Sequence, residues 1–364
     1  MKKVMLLTSY MSGNGGVEKV IERMYSFENE LFSRFYTLSL TDGTYSKKYW
    51  FSIKPEKSKD WIPENRGRYL RINLHNKSLN LLVHFVYMLI FLSFNKFDVI
   101  IATGPIQSLY LKLVKRITLR KFKIVAWPHF SATSGYGDFN KFKYADKVLC
   151  ISKGIKQQLQ EIGINNNKLI YFPNPFPEAN IIKTLNTGNI QNFVFIGRFQ
   201  FEGQKNIKEL IDAASLLIGD YKIILIGEGE DYTKIKQYID ARSLTKNFII
   251  KKGWLENPWK ELSFSSLALV LTSTFEGLPT VLGEALSRGV PCISSSCQTG
   301  PEDFIIDGIN GFLYPPGEPE SLATILQRFI DGDISFKPLV IKNSIQDLYI
   351  PSYKQRYENF LENL

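Results

Sequence analysis

Two glutamates in one short segment, Phe275 to Ala285 (FEGLPTVLGEA), have a placement that suits the binding of sugar hydroxyl groups. Glu276 lies in a loop after a predicted strand, and Glu284 lies about one and a half turns inside a predicted helix. The helix is expected to begin near Pro279, because proline suits the first helical position. Carboxylates at these two places can accept hydrogen bonds from the hydroxyl groups of a sugar and of a ribose.

The residues between the two glutamates support the same interpretation. The amides of Gly277 and Leu278 precede the helix and are expected to point toward a bound ligand. A solvated pair of charges would not require the Gly-Leu-Pro sequence that follows Glu276. The glutamates alone are weak evidence, but the whole loop predicts a ligand site.

A second segment, residues 197–206 (GRFQFEGQKN), contains two cations with a spacing suited to a diphosphate. Arg198 stands at the end of a predicted strand, and Lys205 stands at the start of the next helix. Open parallel sheets bind ligands at the carboxyl ends of their strands, so both side chains are expected there. Arginine offers a bidentate contact to phosphate and lysine a point charge. Two unrelated surface charges are the alternative.

A glycine-rich turn, residues 12–18 (SGNGGVE), lies between the first predicted strand and the first predicted helix. Glycine lets the backbone approach a ligand, and a helix N-terminus offers amides to an anion. The turn is not the dinucleotide fingerprint, because Glu18 replaces the third glycine, and it lacks the lysine of a P-loop. A phosphate-binding loop and a plain flexible turn both fit this pattern.

Short β-branched segments alternate with helical segments along the chain, which predicts parallel sheets built from βαβ units. This alternation breaks at residues 173–177 (PNPFP) and then resumes. We therefore expect an α/β protein of two Rossmann-like doubly wound domains, residues 1–180 and 181–350, that face each other across a cleft. Residues 351–364 are expected to form a helix that packs on the first domain.

His129, in the segment WPHF (127–130), closes a predicted strand of the first domain and would look into the cleft. A satisfied structural histidine is an equal alternative. The triplet Asp331-Gly332-Asp333 imitates an acidic metal-binding motif, but it follows a helix and is interpreted as a turn. No metal site is predicted.

The formal charge of +10 is concentrated in the first half, where residues 1–180 contain 27 Lys and Arg against 13 Asp and Glu. Residues 181–364 contain 18 against 22. Such asymmetry suits an acidic partner such as anionic lipid, a phosphorylated glycolipid or nucleic acid. The three cysteines suggest neither a disulfide framework nor a zinc site, and no signal peptide is expected at Met1 to Lys3, which favours the cytoplasm.

Two segments of the first half bear on a membrane. The apolar segment 78–94 is shorter than the about 20 residues of a span and contains Asn80 and His84, so we expect a helix buried against a sheet. Residues 111–123 combine six cations with apolar residues, which fits either a helix resting on an anionic inner leaflet or a solvated helix face.

Five segments resemble the glycosyltransferases of family 4, which have the GT-B fold. They are WPHFS (127–131), GRFQFEGQKN (197–206), the GW and PW pairs (253–254 and 258–259), TSTFEGLPTVLGEALSRGVPCISS (272–295) and GINGFLYPPG (308–317). The resemblance covers nearly the whole chain and is strongest in the second half. The family often has an aspartate after the histidine of the first segment, where this chain has Phe130.

The resemblance implies a role for each matched position. Gly15, Gly16, Arg198 and Lys205 would contact the donor diphosphate, Glu276 the transferred sugar, Glu284 the ribose and residues 253–255 the base, with His129 near the sugar and the acceptor. The implied catalytic set is His129, Arg198, Lys205 and Glu276. The implied donor-binding set is Gly15, Gly16, Gly197, Arg198, Lys205, Gly253, Trp254, Leu255, Glu276, Gly277, Leu278, Pro279, Thr280 and Glu284.

The resemblance further implies a retaining hexosyltransferase that needs no metal and no cofactor. It favours transfer of galactose from UDP-galactose to a cell-surface glycan or lipid-linked saccharide, in lipopolysaccharide or capsule-type polysaccharide biosynthesis. UDP-glucose and UDP-N-acetylhexosamines remain open as donors. The enzyme would act in the cytoplasm, peripherally at the inner face of the cell membrane.

Three other classes of protein are alternatives to a glycosyltransferase. A UDP-sugar epimerase shares the fold but would need no acceptor, and the basic first half counts against it. A nucleic-acid-binding module is disfavoured because no known aromatic and basic recognition motif is present, so no nucleic acid partner is expected. A nicotinamide dehydrogenase is disfavoured by the interrupted glycine pattern.

Overall fold

The computed structural model describes residues 2–9, 16–26, 33–40, 51–52, 67–72, 76–182, 190–255, 257–262 and 267–364. The chain divides into two compact units, Met1–Pro175 with Tyr353–Leu364, and Phe176–Ser352. The boundary between them lies between Pro175 and Phe176, inside the proline-rich segment, whereas the prediction placed it after residue 180. The second boundary follows Ser352, where we expected it at residue 350.

The first unit contains an eight-stranded sheet in the order β3-β4-β2-β1-β5-β6-β7-β8. Its strands are β1 Lys2–Ser9, β2 Ser33–Leu40, β3 Phe51–Ser52, β4 Gly67–Ile72, β5 Val99–Ala102, β6 Lys123–Ala126, β7 Lys147–Cys150 and β8 Leu169–Tyr171. Neighbours are parallel except β3 and β4, which are antiparallel. The continuous apolar run 4–7 of β1 is buried, as a strand covered on both faces requires.

Four helices of the first unit are α1 Gly16–Ser26, α2 Lys77–Phe94, α3 Pro105–Thr118 and α4 Lys153–Glu161. Asn76 caps α2, because its side chain accepts a hydrogen bond from the Leu79 amide at 3.1 Å. No helix in the described ranges is both long and apolar enough to cross a bilayer. The prediction that α2 is buried is correct for one face only, since Ile90 and Phe94 of the opposite face are exposed.

The second unit contains a six-stranded parallel sheet in the order β11-β10-β9-β12-β13-β14. Its strands are β9 Gln191–Ile196, β10 Tyr221–Gly227, β11 Phe248–Lys252, β12 Leu267–Leu271, β13 Cys292–Ser295 and β14 Gly311–Tyr314. Its helices are α5 Ile207–Ala214, α6 Tyr232–Ala241, α7 Thr280–Leu286, α8 Pro319–Ile330 and α9 Pro338–Asn343. Phe193, Leu225 and Val270 are fully buried in the core of this unit. The doubly wound α/β architecture predicted from the sequence is confirmed.

The last helix, α10 Ile350–Glu362, connects the end of the chain to the first unit. The Tyr353 ring meets the Phe172 ring edge to face at 5.2 Å, and the Tyr353 hydroxyl donates to Met24 Sδ at 3.7 Å. The Tyr357 side chain is fully buried. Buried aromatic surface of this size stabilises the packing of the helix on the first unit.

Candidate active site

The order of strands in the second sheet has a switch point at β9. The chain passes from β9 to β10 on one side, whereas β12 lies on the other side and pairs with β9 through Leu269 and Val194. The loops that follow β9 and β12 therefore leave the sheet next to each other at its carboxyl edge. Open α/β sheets bind ligands at this point.

The two loops are joined by an ion pair that the sequence did not suggest. Lys205 Nζ lies 2.5 Å from Glu276 Oε1, and both side chains are largely buried, with 13% and 8% of their surfaces exposed. The Ser273 hydroxyl donates to the same carboxylate oxygen at 2.6 Å, and the Thr299 hydroxyl donates to the Glu276 carbonyl. The carboxylate is therefore held in one orientation by a cation and a hydroxyl group.

Further hydrogen bonds run between the two loops on either side of this pair. The Thr272 hydroxyl donates to the Lys205 carbonyl at 2.9 Å, and the Thr274 amide donates to the Gln204 carbonyl at 2.8 Å. The Gln204 side-chain amide donates to the Phe275 carbonyl at 3.2 Å. These contacts link loop to loop, so Lys205 and Glu276 are held by the backbone as well as by their charges.

Arg198 lies at the end of β9, where it was predicted. Its guanidinium donates to Gln204 Oε1 at 2.7 Å, and its side chain is exposed to solvent. A Cβ added to the preceding Gly197 would lie 3.7 Å from Lys205 Cε, so the backbone passes close to the lysine side chain. The structure thus brings Gly197, Arg198, Lys205 and Glu276 together.

Two glycines, one at the end of β10 and one just after it, support the Arg198 loop. A Cβ on Gly227 would lie 1.9 Å from the Gly197 carbonyl oxygen, and one on Gly229 would lie 2.2 Å from the Phe199 carbonyl oxygen. The Phe199 amide donates to the Glu228 carbonyl at 2.7 Å. Any side chain at Gly227 or Gly229 would displace the loop that carries Arg198.

The segment from Gly277 to Pro279 packs closely against Gly300. Gly277, Leu278 and Pro279 are buried, and a Cβ on Gly300 would lie 2.6 Å from Pro279 Cδ. Gly300 has a φ of 98°, a conformation that glycine adopts without strain. Helix α7 begins at Thr280 with Pro279 as its N-cap, so the helix starts one residue later than its proline suggested.

Glu284 lies inside α7, as predicted, and contacts a tryptophan. Its Oε2 accepts a hydrogen bond from Trp259 Nε1 at 3.3 Å. Arg288, one turn later, donates to the Glu284 carbonyl at 2.7 Å and lies 5.1 Å from the Trp259 ring centre. The tryptophan and the arginine therefore position Glu284, and neither was among the predicted site residues.

The segment proposed to contact the base follows β11. The Gly253 amide donates to the Gly227 carbonyl at 2.7 Å, which ties this segment to the turn that supports Arg198. Gly253 has a φ of 125°, and the space around its Cα is open. Trp254 is exposed and Leu255 is partly exposed.

His129 belongs to the first unit and follows β6. Its ring meets the Trp127 ring edge to face at 4.2 Å, and its Nε2 has no hydrogen-bond partner within the described part of the chain. Burial lowers the pKa of His129 to about 3, so the imidazole is neutral near pH 7. Phe130 stacks on Tyr136 with ring centres 4.0 Å apart.

The remaining predicted positions are placed as follows. Gly16 is the first residue of α1, whereas Gly15 lies outside the described residues. The triplet that begins at Asp331 forms the C-terminal turn of α8, with Gly332 at a φ of 78°. In the residues that the structure describes, no three His, Cys, Asp or Glu side chains are grouped to hold a metal ion.

Comparisons with known proteins assign the chain to a family. Residues 178–343 match the family model for glycosyl transferases group 1. The lipopolysaccharide 1,6-galactosyltransferase of Salmonella typhimurium is 30% identical, over 98% of this chain and 98% of its own length. Among solved structures, the apo form of the lipopolysaccharide outer core galactosyltransferase WaaB covers 100% of both chains with a TM-score of 0.86 and 29% identity.

A more distant structure supports the fold alone. The Anabaena protein Alr3699/HepE, solved in complex with UDP, has a TM-score of 0.77 and 19% identity. The resemblance inferred from the sequence motifs is thus confirmed. Since a family member is 30% identical along nearly its whole length and the WaaB structure has the same architecture, the protein belongs to the group 1 glycosyltransferases and has the GT-B fold.

Proposed function

We propose that this protein transfers galactose from UDP-galactose to a saccharide of lipopolysaccharide or of a related cell-surface polysaccharide. The full-length similarity to a lipopolysaccharide 1,6-galactosyltransferase supports this choice of donor and acceptor. The observation that carries the proposal is the buried Lys205–Glu276 pair at the switch point of the second sheet. It joins a cation suited to a phosphate and a carboxylate suited to sugar hydroxyl groups.

In this proposal, Lys205 and Arg198 neutralise the donor diphosphate. The lysine ammonium has three donors, of which one serves Glu276, so others are available to a phosphate oxygen. Arg198 is exposed and bonded to Gln204 on one side of its guanidinium. Gly15 and Gly16 are proposed to contact the same diphosphate, since a helix N-terminus favours an anion.

Most of the remaining donor contacts come from the segment after β11 and from the loop and helix after β12. Glu276 accepts hydrogen bonds from the sugar hydroxyl groups, and Glu284 accepts them from the ribose. The amides of Gly277, Leu278 and Thr280 line the donor, with Pro279 between them. Residues 253–255 (Gly253, Trp254 and Leu255) border the base. His129, neutral at pH 7, offers one hydrogen bond to the sugar or to the acceptor.

We propose a retaining reaction without a metal. The acceptor hydroxyl attacks the anomeric carbon on the face from which UDP departs, while the bond to the β-phosphate oxygen breaks. A β-phosphate oxygen takes the proton of the acceptor hydroxyl, so UDP carries it away. The cations stabilise the charge on the departing diphosphate and the loops hold donor and acceptor in position, which are the main contributions expected of the protein.

A donor panel tests the proposal. UDP-, GDP- and ADP-sugars are supplied with extracted glycolipid acceptor, with and without EDTA, and the anomeric configuration of any product is read by NMR. Transfer from UDP-galactose in EDTA, with α configuration kept, is the expected result. Transfer from UDP-glucose or a UDP-N-acetylhexosamine instead would change the donor. Interconversion of UDP-sugars without transfer would favour an epimerase.

We propose that the enzyme acts in the cytoplasm, peripherally at the inner face of the cell membrane. The basic residues of α3 and the segment after it support this, since an anionic leaflet attracts such segments. A lipid-linked acceptor would be met there, and no nucleic acid partner is proposed.

A further inference from the structure

Helix α2 exposes large apolar side chains on one face, while its buried face includes two polar residues as well as Met88, Phe91 and Leu92. Asn80 and His84 are 4% exposed, whereas Leu82 and Ile90 are each 55% exposed and Phe94 is 83% exposed. A helix on the surface of a globular protein normally turns its apolar stripe to the core and its polar residues to water. The outward stripe of α2 therefore has a purpose other than packing the first unit.

Helix α3 extends this apolar surface. The Phe85 and Tyr110 rings of the two helices are 5.4 Å apart, and the Arg120 guanidinium donates to the Ser93 carbonyl near the end of α2. These two contacts align α2 and α3 side by side in the same direction. Ile117 lies two turns after Tyr110 on the same side of α3, and it is exposed.

We call this surface the α2–α3 face. Its exposed apolar side chains are Leu79, Leu82, Val86, Ile90 and Phe94 on α2, and Leu113, Ile117 and Leu119 on and after α3. Soluble proteins rarely expose a continuous apolar surface of many large side chains unless it binds something.

The charge around the α2–α3 face is strongly positive. Residues 76–123 contain eight lysines and arginines and one acidic residue, Asp98. Lys96, Arg120 and Lys121 line a depression of ≈ 250 Å³ beyond the end of α2, together with Asp98. Three cations and one carboxylate leave this depression with an excess of positive charge, next to exposed apolar side chains.

We propose that the α2–α3 face docks on an anionic phospholipid bilayer. Its apolar side chains enter the boundary between headgroups and acyl chains, and the surrounding cations bind the anionic headgroups, of which one occupies the depression lined by Lys96, Arg120 and Lys121. Apolar area and attraction to anionic lipid add together in this mode of binding.

Charge complementarity selects the bilayer over a second copy of the chain. Two α2–α3 faces brought together would place two sets of cations against each other, and like charges across an interface are costly. In the ranges that the structure describes, no helix is long and apolar enough to cross a membrane. The inference extends the proposed function, since the acceptor is lipid-linked, but its test requires neither donor nor acceptor.

Vesicle co-sedimentation of the full chain is the first test. Phosphatidylcholine vesicles with and without phosphatidylglycerol are compared at low and high salt. Wild type is expected to bind only when phosphatidylglycerol is present. Leu82→Asp with Ile90→Asp is expected to lower the fraction bound at least tenfold. The matched control is Leu216→Asp with Ile218→Asp, two exposed apolar residues of the second unit, which should bind as wild type does.

A charge test uses the same assay. Lys112→Ser, Arg116→Ser and Lys121→Ser together should weaken binding at least tenfold. The control removes the same charge from exposed residues of the second unit, by Lys236→Ser, Lys246→Ser and Lys337→Ser. Equal loss in both triple variants would mean a general charge effect and would overturn the proposed face.

A fluorescent label reports where the protein enters the bilayer. Cys150, Cys292 and Cys297 are buried, and burial raises the pKa of each thiol, so a new surface cysteine is labelled selectively. An environment-sensitive dye at Ile90→Cys should shift to shorter wavelengths on anionic vesicles, and the same dye at Ile218→Cys should not. No shift at Ile90→Cys, or a shift caused by protein concentration without lipid, would overturn the proposal. If the wild-type protein transfers no galactose to a detergent-dispersed acceptor, that result would contradict the proposed function but not the docking of the α2–α3 face.

Discussion

Lys205 Nζ and Glu276 Oε1 lie 2.5 Å apart although the two residues are separated by 71 positions in the chain. The pair spans the loops that follow two neighbouring strands, so each charge stabilises the other before any donor binds. A cation and a carboxylate in direct contact suit a donor with a diphosphate at one end and sugar hydroxyl groups at the other.

Removal of the lysine should abolish most of the activity. We expect Lys205→Ala to lower kcat by about 100-fold or more, by analogy with the loss of one donor to a developing anion. The control is Lys208→Ala. It removes a lysine from the first turn of α5 that pairs with Asp212 and not with Glu276. Initial rates with saturating UDP-galactose measure the effect, and a rate within a fewfold of wild type would refute the assignment.

The Lys205–Glu276 ion pair should also contribute to the free energy of unfolding, which can be measured independently of activity. Lys205→Met should lower the free energy of unfolding by about 3 kcal/mol, because Glu276 would be left charged, largely buried and without its cation. Glu276→Gln in the Lys205→Met background should restore at least half of that loss, since the neutral amide still accepts a hydrogen bond from Ser273.

Urea denaturation of the wild type, both single variants and the double variant measures this coupling. The double variant should be stable but inactive. Additive losses of stability in the double variant would show that the two charges do not depend on each other.

Gly283 in α7 should not tolerate a methyl group. A Cβ at this position would lie 2.4 Å from the ring of Phe176, which is fully buried and packs edge to face on the Phe304 ring. Gly283→Ala should therefore destabilise the protein by about 1–3 kcal/mol, although alanine is the better helix former in an open helix. Phe176→Leu combined with Gly283→Ala should recover part of the loss. Thermal unfolding of the single and double variants decides, and a Gly283→Ala variant as stable as wild type would contradict the packing.

His129 should make the protein less stable in mild acid. Its pKa is lowered from the ordinary 6.5 to about 3, so below pH 6.5 the unfolded chain binds a proton that the folded protein does not. The stability contributed by the neutral ring is complete above pH 6.5 and falls as the pH decreases toward 3, with a slope of at most about 1.4 kcal/mol per pH unit. Urea denaturation between pH 7 and pH 5 should show a smaller decline for His129→Gln than for wild type.

The His129 ring can also be observed directly. Its NMR signals should not shift between pH 8 and pH 5.5, because the imidazole remains neutral over this range. A titration near pH 6.5 would contradict the burial of the ring, and assignment by comparison with His129→Gln identifies the signal.

Local patterns were enough to predict most strands and the loops that carry Arg198 and Glu276. Strands such as β5, β6 and β10 are short apolar runs rich in Val and Ile, and a buried parallel strand requires that composition. Strands β3 and β14 were not predicted from the sequence, because they lack this signal. Strand β14, Gly311–Tyr314, begins with glycine and contains neither Val nor Ile, and β3 has only two residues.

Chain order alone could not reveal which residues meet. The sequence determined that Lys205 and Glu276 each follow a strand, because loop composition and strand pattern are local properties. Only the tertiary structure decided that their charges pair, since strand order places β12 beside β9 although β10 and β11 come between them in the chain. The same reason applies to α2. Its long apolar segment predicted a buried helix. Which face of that helix is covered depends on the elements packed against it, and in the structure Ile90 and Phe94 are exposed.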